Sequence, residues 1–157
     1  MDVDGNGCDT RNDVLARDLT EVVLDTAEGG CTVLAGELAD PYSGQGLNFA
    51  RGEDSSDVQI DHVVALADAW QKGAWRWTDA ARQEFANDPL NLLAVDGALN
   101  QEKGAGDAAT WLPPNTGVRC AYAVRQILVK DRWDLSVTQA EHEALGRELG
   151  RCVTADE

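Results

Sequence analysis

Asp61 and His62 stand side by side in the stretch VQIDHVVALADAW, residues 58–70. The chain has only two histidines, so chemistry that needs imidazole has two places to occur. Taken alone, an Asp-His pair also fits a surface pair or a satisfied buried histidine. Hydrolysis of a phosphodiester would use both residues. It needs a base to activate water and positive charge to meet the phosphate and the leaving oxygen. Imidazole suits the first task because its unperturbed pKa is about 6.5. A hard carboxylate oxygen suits Mg²⁺ (or Mn²⁺), which takes few protein ligands and keeps waters that phosphate oxygens can displace. Neighbouring strand residues face opposite ways, so Asp61 is expected to face a cation and His62 the attacking water. His142, in AEHEAL, falls on a charged helix face and reads as solvated.

The elements that must hold this pair follow from local pattern. DVQI at 57–60 reads as a strand leading into His62, and LNLLAV at 90–95 as a second short strand. ALADAWQKGAW and TDAARQEFAN between them read as helices, the latter capped by Thr78 or Asp79 and broken by Pro89. ALNQEK begins a helix that dies at GAGD, and WLPPNTG is a rigid turn. VRCAYAVRQILVKDRW is amphipathic, and Thr138 with Glu141 makes a capping box for a last helix running to about Cys152. Upstream, Val14, Leu15, Leu19, Val22 and Val23 predict one helix over 12–28, stopped by the glycines at 29–30. CTVLAGEL is a short β-prone run and DPYSGQG is turn chemistry. The expected fold class is α+β, helix-rich, with one small hairpin in the middle.

With 157 residues and 43% apolar content, the chain fits one folded domain better than two. No apolar run approaches the roughly 18 residues of a membrane helix, so no membrane partner is expected. The net charge of −15 is uneven: residues 1–57 hold thirteen acids against Arg11, Arg17 and Arg51. That half repels polyanions, which disfavours broad nucleic-acid binding but leaves room for a local basic face. Four cysteines without C-x-x-C spacing argue against structural zinc and for two disulfides in an exported protein. Three connectivities are possible; Cys8–Cys31 with Cys120–Cys152 is the favoured one. Met1 runs straight into DVDGNG with no leader pattern, so the chain is expected to be leaderless or to have lost one.

The middle region, IDHVVAL followed by NDPLNLLAVDGALNQEKGAGD, resembles the HNH endonuclease family. More closely, the ordered set DGNGCDTR, DPYSG, IDHVV, FANDPLNLLAV, N..K and WLPP is similar to secreted bacterial DUF1524-like proteins of the GmrSD/HNH type. The resemblance runs from residue 4 to 114. It implies a single HNH nuclease domain over 1–157, built on a ββα-metal (His-Me finger) hairpin–helix unit at about 57–107, with helical N- and C-terminal wrapping. It also implies that Asn91 braces the hairpin loop and holds the His62 backbone. Asn100, nine residues later on the following helix, would join Asp61 as cation ligand, its oxygen favouring Mg²⁺ or Mn²⁺ over zinc. Asn87 and Asp88 would cap the hairpin.

Lys103, three residues beyond Asn100, either contacts a phosphate or is simply exposed. Two positions depart from the family pattern: Gln101 and Glu102 stand where a basic and a small residue are usual, which weakens backbone binding at that helix, and Ala65 replaces a common proline. Compensation is expected from the cluster Arg119, Arg125, Lys130 and Arg132, with Arg11 as a rim candidate. The expected function is a secreted, monomeric, metal-dependent endonuclease acting on DNA, and perhaps RNA, with little sequence preference. The competing reading is a non-catalytic calcium-binding extracellular module. It rests on DVDGNGCDTRND, where Asp2, Asp4, Asn6, Thr10 and Asp13 fall at calcium-loop positions around Gly7.

Overall fold

Asp9 opens the first helix by accepting the backbone N–H of Asn12, and α1 spans Thr10–Asp18. It ends at Leu19, which is extended at φ −85° and ψ 152°. The predicted 12–28 helix is therefore half right. Thr20–Leu24 forms strand β1 instead, antiparallel to β2, Val33–Ala39. The reason is non-local. Thr20, Val22 and Val23 are β-branched, and Thr20, Val23 and Leu24 find strand partners in Glu37, Ala35 and Val33, whereas a longer helix would leave those edges unpaired. β3, Gly46–Ala50, completes a three-stranded sheet in the order β1-β2-β3. The computed structural model describes residues 1–27 and 29–152.

β4, Val58–His62, pairs antiparallel with β5, Leu92–Asp96, placing Asp61 opposite Leu93 and His62 opposite Leu92. Between them lie α2, Leu66–Lys72, ended by Gly73 at φ 143°, and α3, Asp79–Ala86, capped by Thr78. α4, Gly97–Lys103, follows β5 directly, with Asp96 as its cap and Gly104 at φ 54° as its stop. α5, Arg119–Arg132, and α6, Gln139–Leu149, close the described chain, α6 with the Thr138–Glu141 capping box formed in both directions.

The β4–β5 pair is covered on both faces. Val58, Leu92 and Ala94 pack with Val14, Leu15, Leu19 and Phe49 from α1 and the larger sheet. On the other face Val95 packs with Tyr42, Val63 and Tyr122, and Leu99 of α4 leans on the same cluster. The pair is thus a wall with a different environment on each side, and the side-chain alternation of β4 assigns Asp61 and His62 to different ones.

Two disulfides staple the chain, Cys8–Cys31 and Cys120–Cys152, in the favoured connectivity. The first ties the N-terminal segment to the loop before β2 and the second ties the C-terminal segment to α5, which restricts the unfolded ensemble. A buried ion network joins three helices: Lys72 Nζ donates to Asp68 at 2.7 Å and Glu141 at 2.9 Å, and Lys130 Nζ donates to the same two carboxylates. Lys130 is therefore no part of a basic surface, and the expected cluster at 119–132 does not form one. Arg119 donates to Pro113 O, and only Arg132 stands well into solvent. Among the described residues no helix is long and apolar enough to cross a membrane.

Candidate active site

His62 is half-buried and lines an open groove of about 500 Å³ with Thr10, Arg11, Ile60 and Asn87. Its Nε2 lies 2.8 Å from the carbonyl oxygen of Ala86, at the end of α3. A carbonyl oxygen only accepts, so Nε2 carries the hydrogen and donates. In the neutral ring the remaining nitrogen, Nδ1, then holds the lone pair. The arrangement fixes both the ring and its tautomer, which is what a proton acceptor requires.

The backbone after His62 is held from two sides. The buried amide of Asn91 accepts from Val64 N at 2.7 Å and donates to Val64 O at 3.0 Å, while Asn91 O accepts from Val63 N at 2.9 Å. Gln126 of α5 donates Nε2 to Val63 O at 2.5 Å. Asp88 caps the turn before Asn91 by accepting from Leu90 N, and also accepts from Trp133 Nε1 at 2.7 Å.

Positive charge reaches the groove through Arg11. Its Nη2 donates to Ser55 O and Val58 O, each at 3.3 Å. Burial and the neighbouring Arg51 lower its pKa from the ordinary arginine value, with Asp9 acting the other way. Arg125 is half-buried and reaches Leu92 O at 3.5 Å, the carbonyl that Arg17 contacts at 2.6 Å.

On the opposite face of β4 the surroundings of Asp61 differ from expectation. Lys103 Nζ donates to both of its oxygens, at 2.8 and 2.9 Å, and to His62 O at 2.7 Å. Lys103 is buried, neither exposed nor placed to meet a phosphate, and both expectations for it are corrected here. The two charges are drawn together because α4 packs its inner face on β4, where each would otherwise be a lone buried ion. Tyr42, fully buried in the DPYSG turn, donates its hydroxyl to Asp61 Oδ2. Burial and then the Asp61 charge push the Tyr42 pKa well above its ordinary value, so the phenol stays protonated and remains a donor. Asn100 donates its Nδ2 to Gln59 Oε1 at 3.0 Å, two residues back along β4. In this arrangement the residues do not fit a divalent ion bridging Asp61 and Asn100, because both carboxylate oxygens already accept from a buried ammonium and Oδ2 also from a phenol.

The N-terminal acids are turned to turn-making. Asp2 accepts from Gly5 N and Gly7 N, while Asp4 and Asp13 accept from Asn6. Among the described residues no three His, Cys, Asp or Glu side chains come together in a way that could hold a metal ion.

Tyr42 and Gln59 went unnoticed in the sequence. DPYSG reads as a turn and as one piece of the family pattern, but neither says that Tyr42, whose N–H donates to the buried Asp40 and whose neighbour Pro41 O accepts from Asn115, turns its ring inward.

Together these features define a disulfide-stapled, mixed α/β domain that presents one fixed imidazole in a groove. A family model described as GmrSD restriction endonucleases, C-terminal domain, matches residues 9–148, and the chain belongs to that family. It is also 44% identical over 147 residues to a protein of Arthroderma benhamiae described as an uncharacterized secreted protein, covering 92% of this chain and 68% of that one.

Proposed function

We propose that the chain is a secreted endonuclease that hydrolyses phosphodiester bonds of DNA with little sequence preference. Family membership supports the nuclease class, and the two disulfides with the secreted relative support export. The observation that carries the chemistry is the His62 Nε2–Ala86 O hydrogen bond, which leaves Nδ1 as the ring's acceptor. The β4–β5 pair followed by α4 is read as the HNH-type hairpin–helix unit, with Asn91 as the brace behind His62.

His62 Nδ1 takes a proton from a water in the groove as the water oxygen bonds to phosphorus. The bond from phosphorus to the 3′ oxygen breaks, and solvent returns a proton to that oxygen. The products carry a 5′ phosphate and a 3′ hydroxyl. Arg11, in the same groove, meets the negative charge of the phosphate. A divalent ion, expected as Mg²⁺ or Mn²⁺, would add positive charge at the phosphate. Low sequence preference goes with binding through the phosphate backbone, which carries no base identity.

The test is incubation of the purified chain with circular plasmid and with circular single-stranded DNA, in Mg²⁺ and in Mn²⁺. Linear and nicked products from circles support the endonuclease reading. Intact circles under every condition refute it.

A further inference from the structure

We infer that in the free protein Lys103 is the resident cation of Asp61 and keeps divalent ions off that carboxylate. An ammonium has three hydrogens, and here all three have acceptors: Asp61 Oδ1, Asp61 Oδ2 and His62 O. The Lys103 side chain has 0% exposure, so a cation approaching Asp61 meets the ammonium inside the fold and not at the surface. Tyr42 adds a further donor to Oδ2, which leaves the carboxylate little capacity to accept from anything else.

The lysine is held there by the backbone. Gly97 starts α4 so close to the preceding segment that an added Cβ would lie 2.2 Å from Ser56 O. Gly104 ends the helix immediately after Lys103. A short helix pinned at both ends has no freedom to slide Lys103 away from β4. A divalent ion entering beside Asp61 would stand next to a buried positive charge, which it would have to expel or tolerate.

The inference does not rest on the nuclease reading, because ion binding is measured without nucleic acid. Mn²⁺ is titrated into the full chain, followed by electron paramagnetic resonance of free Mn²⁺, for wild type, K103M and D61N/K103M. Acids elsewhere contribute equally to all three. The wild type and the double variant are expected to bind the same number of ions with the same Kd. K103M is expected to gain one site, at least tenfold tighter than the background, which the double variant lacks. A site in the wild type that is missing from D61N/K103M overturns the inference. So does a folded K103M with no added site. Should K103M not fold by circular dichroism, the wild type against the neutral double variant still decides. An inactive protein with the expected binding pattern would end the nuclease reading and leave this inference standing.

Discussion

Lys103 reaches from the last turn of α4 to both carboxylate oxygens of Asp61 on β4, at 2.8 and 2.9 Å, with neither side chain open to solvent. Removing one member of such a pair strands the other charge in a low-dielectric interior. Replacing both with neutral groups removes the problem along with the attraction. K103M is therefore expected to lose roughly 3–5 kcal/mol of stability. D61N/K103M should recover most of that. Urea denaturation with matched slopes checks it, and equal losses in the single and double variants would refute the pairing.

Asn91 makes both of its amide bonds to the backbone of Val64 and has no exposed surface. Asn91→Ala leaves a buried N–H and a buried C=O without partners, at roughly 1–3 kcal/mol each. A chain of this size shifts its Tm by about 2–4 °C per kcal/mol. A fall of roughly 5–15 °C in calorimetry is expected. A Tm unchanged from wild type would mean that the loop after His62 is held by something else.

Two glycines separate packing from propensity. An alanine Cβ at Gly97 would meet Ser56 O at 2.2 Å, whereas at Gly146, inside α6, it meets nothing within 4 Å. Gly97→Ala should destabilise the protein by forcing α4 off β4. Gly146→Ala should stabilise it by about 0.5–1 kcal/mol through helix propensity. Thermal melts of the two variants should move in opposite directions.

Burial lowers the Lys72 pKa, but hydrogen bonds and charges from Asp68 and Glu141 outweigh it and leave the group raised. A raised folded value means that its contribution is fully present below the unfolded value of about 10.4, and is lost only as pH climbs through the folded value. The difference in Tm between wild type and Lys72→Met should stay constant from about pH 8 to about pH 10. A difference that shrinks steadily over that range would show that the network does not hold the proton.

Much of the layout was legible from local pattern. Thr138 and Glu141 announce the start of α6, and the VQIDH run marks β4 with His62 at its end. Of the three possible cysteine connectivities, the favoured one, which ties helix-sized segments, is the one that forms. The N-terminal half was less legible because its outcome depends on partners far along the chain. Val22 and Val23 satisfy helical spacing as well as a strand does, and only the presence of β2 decides between them. β3 is a weak pattern, GLNFA, whose strand character comes from pairing with β2. The surroundings of Asp61 were hidden for the same reason. Nothing local says that a lysine three residues past Asn100 turns inward, since that depends on how closely α4 packs on β4.

The role of His62 is tested most directly by single-turnover cleavage of a 5′-labelled oligonucleotide duplex by wild type and His62→Ala, at matched folded concentration. The geometry predicts cleavage by the wild type to 3′-hydroxyl products. It predicts a loss of at least about 100-fold in rate for the variant, the contribution expected of a positioned base. Equal rates for the two proteins would contradict the assignment of His62 as the proton acceptor.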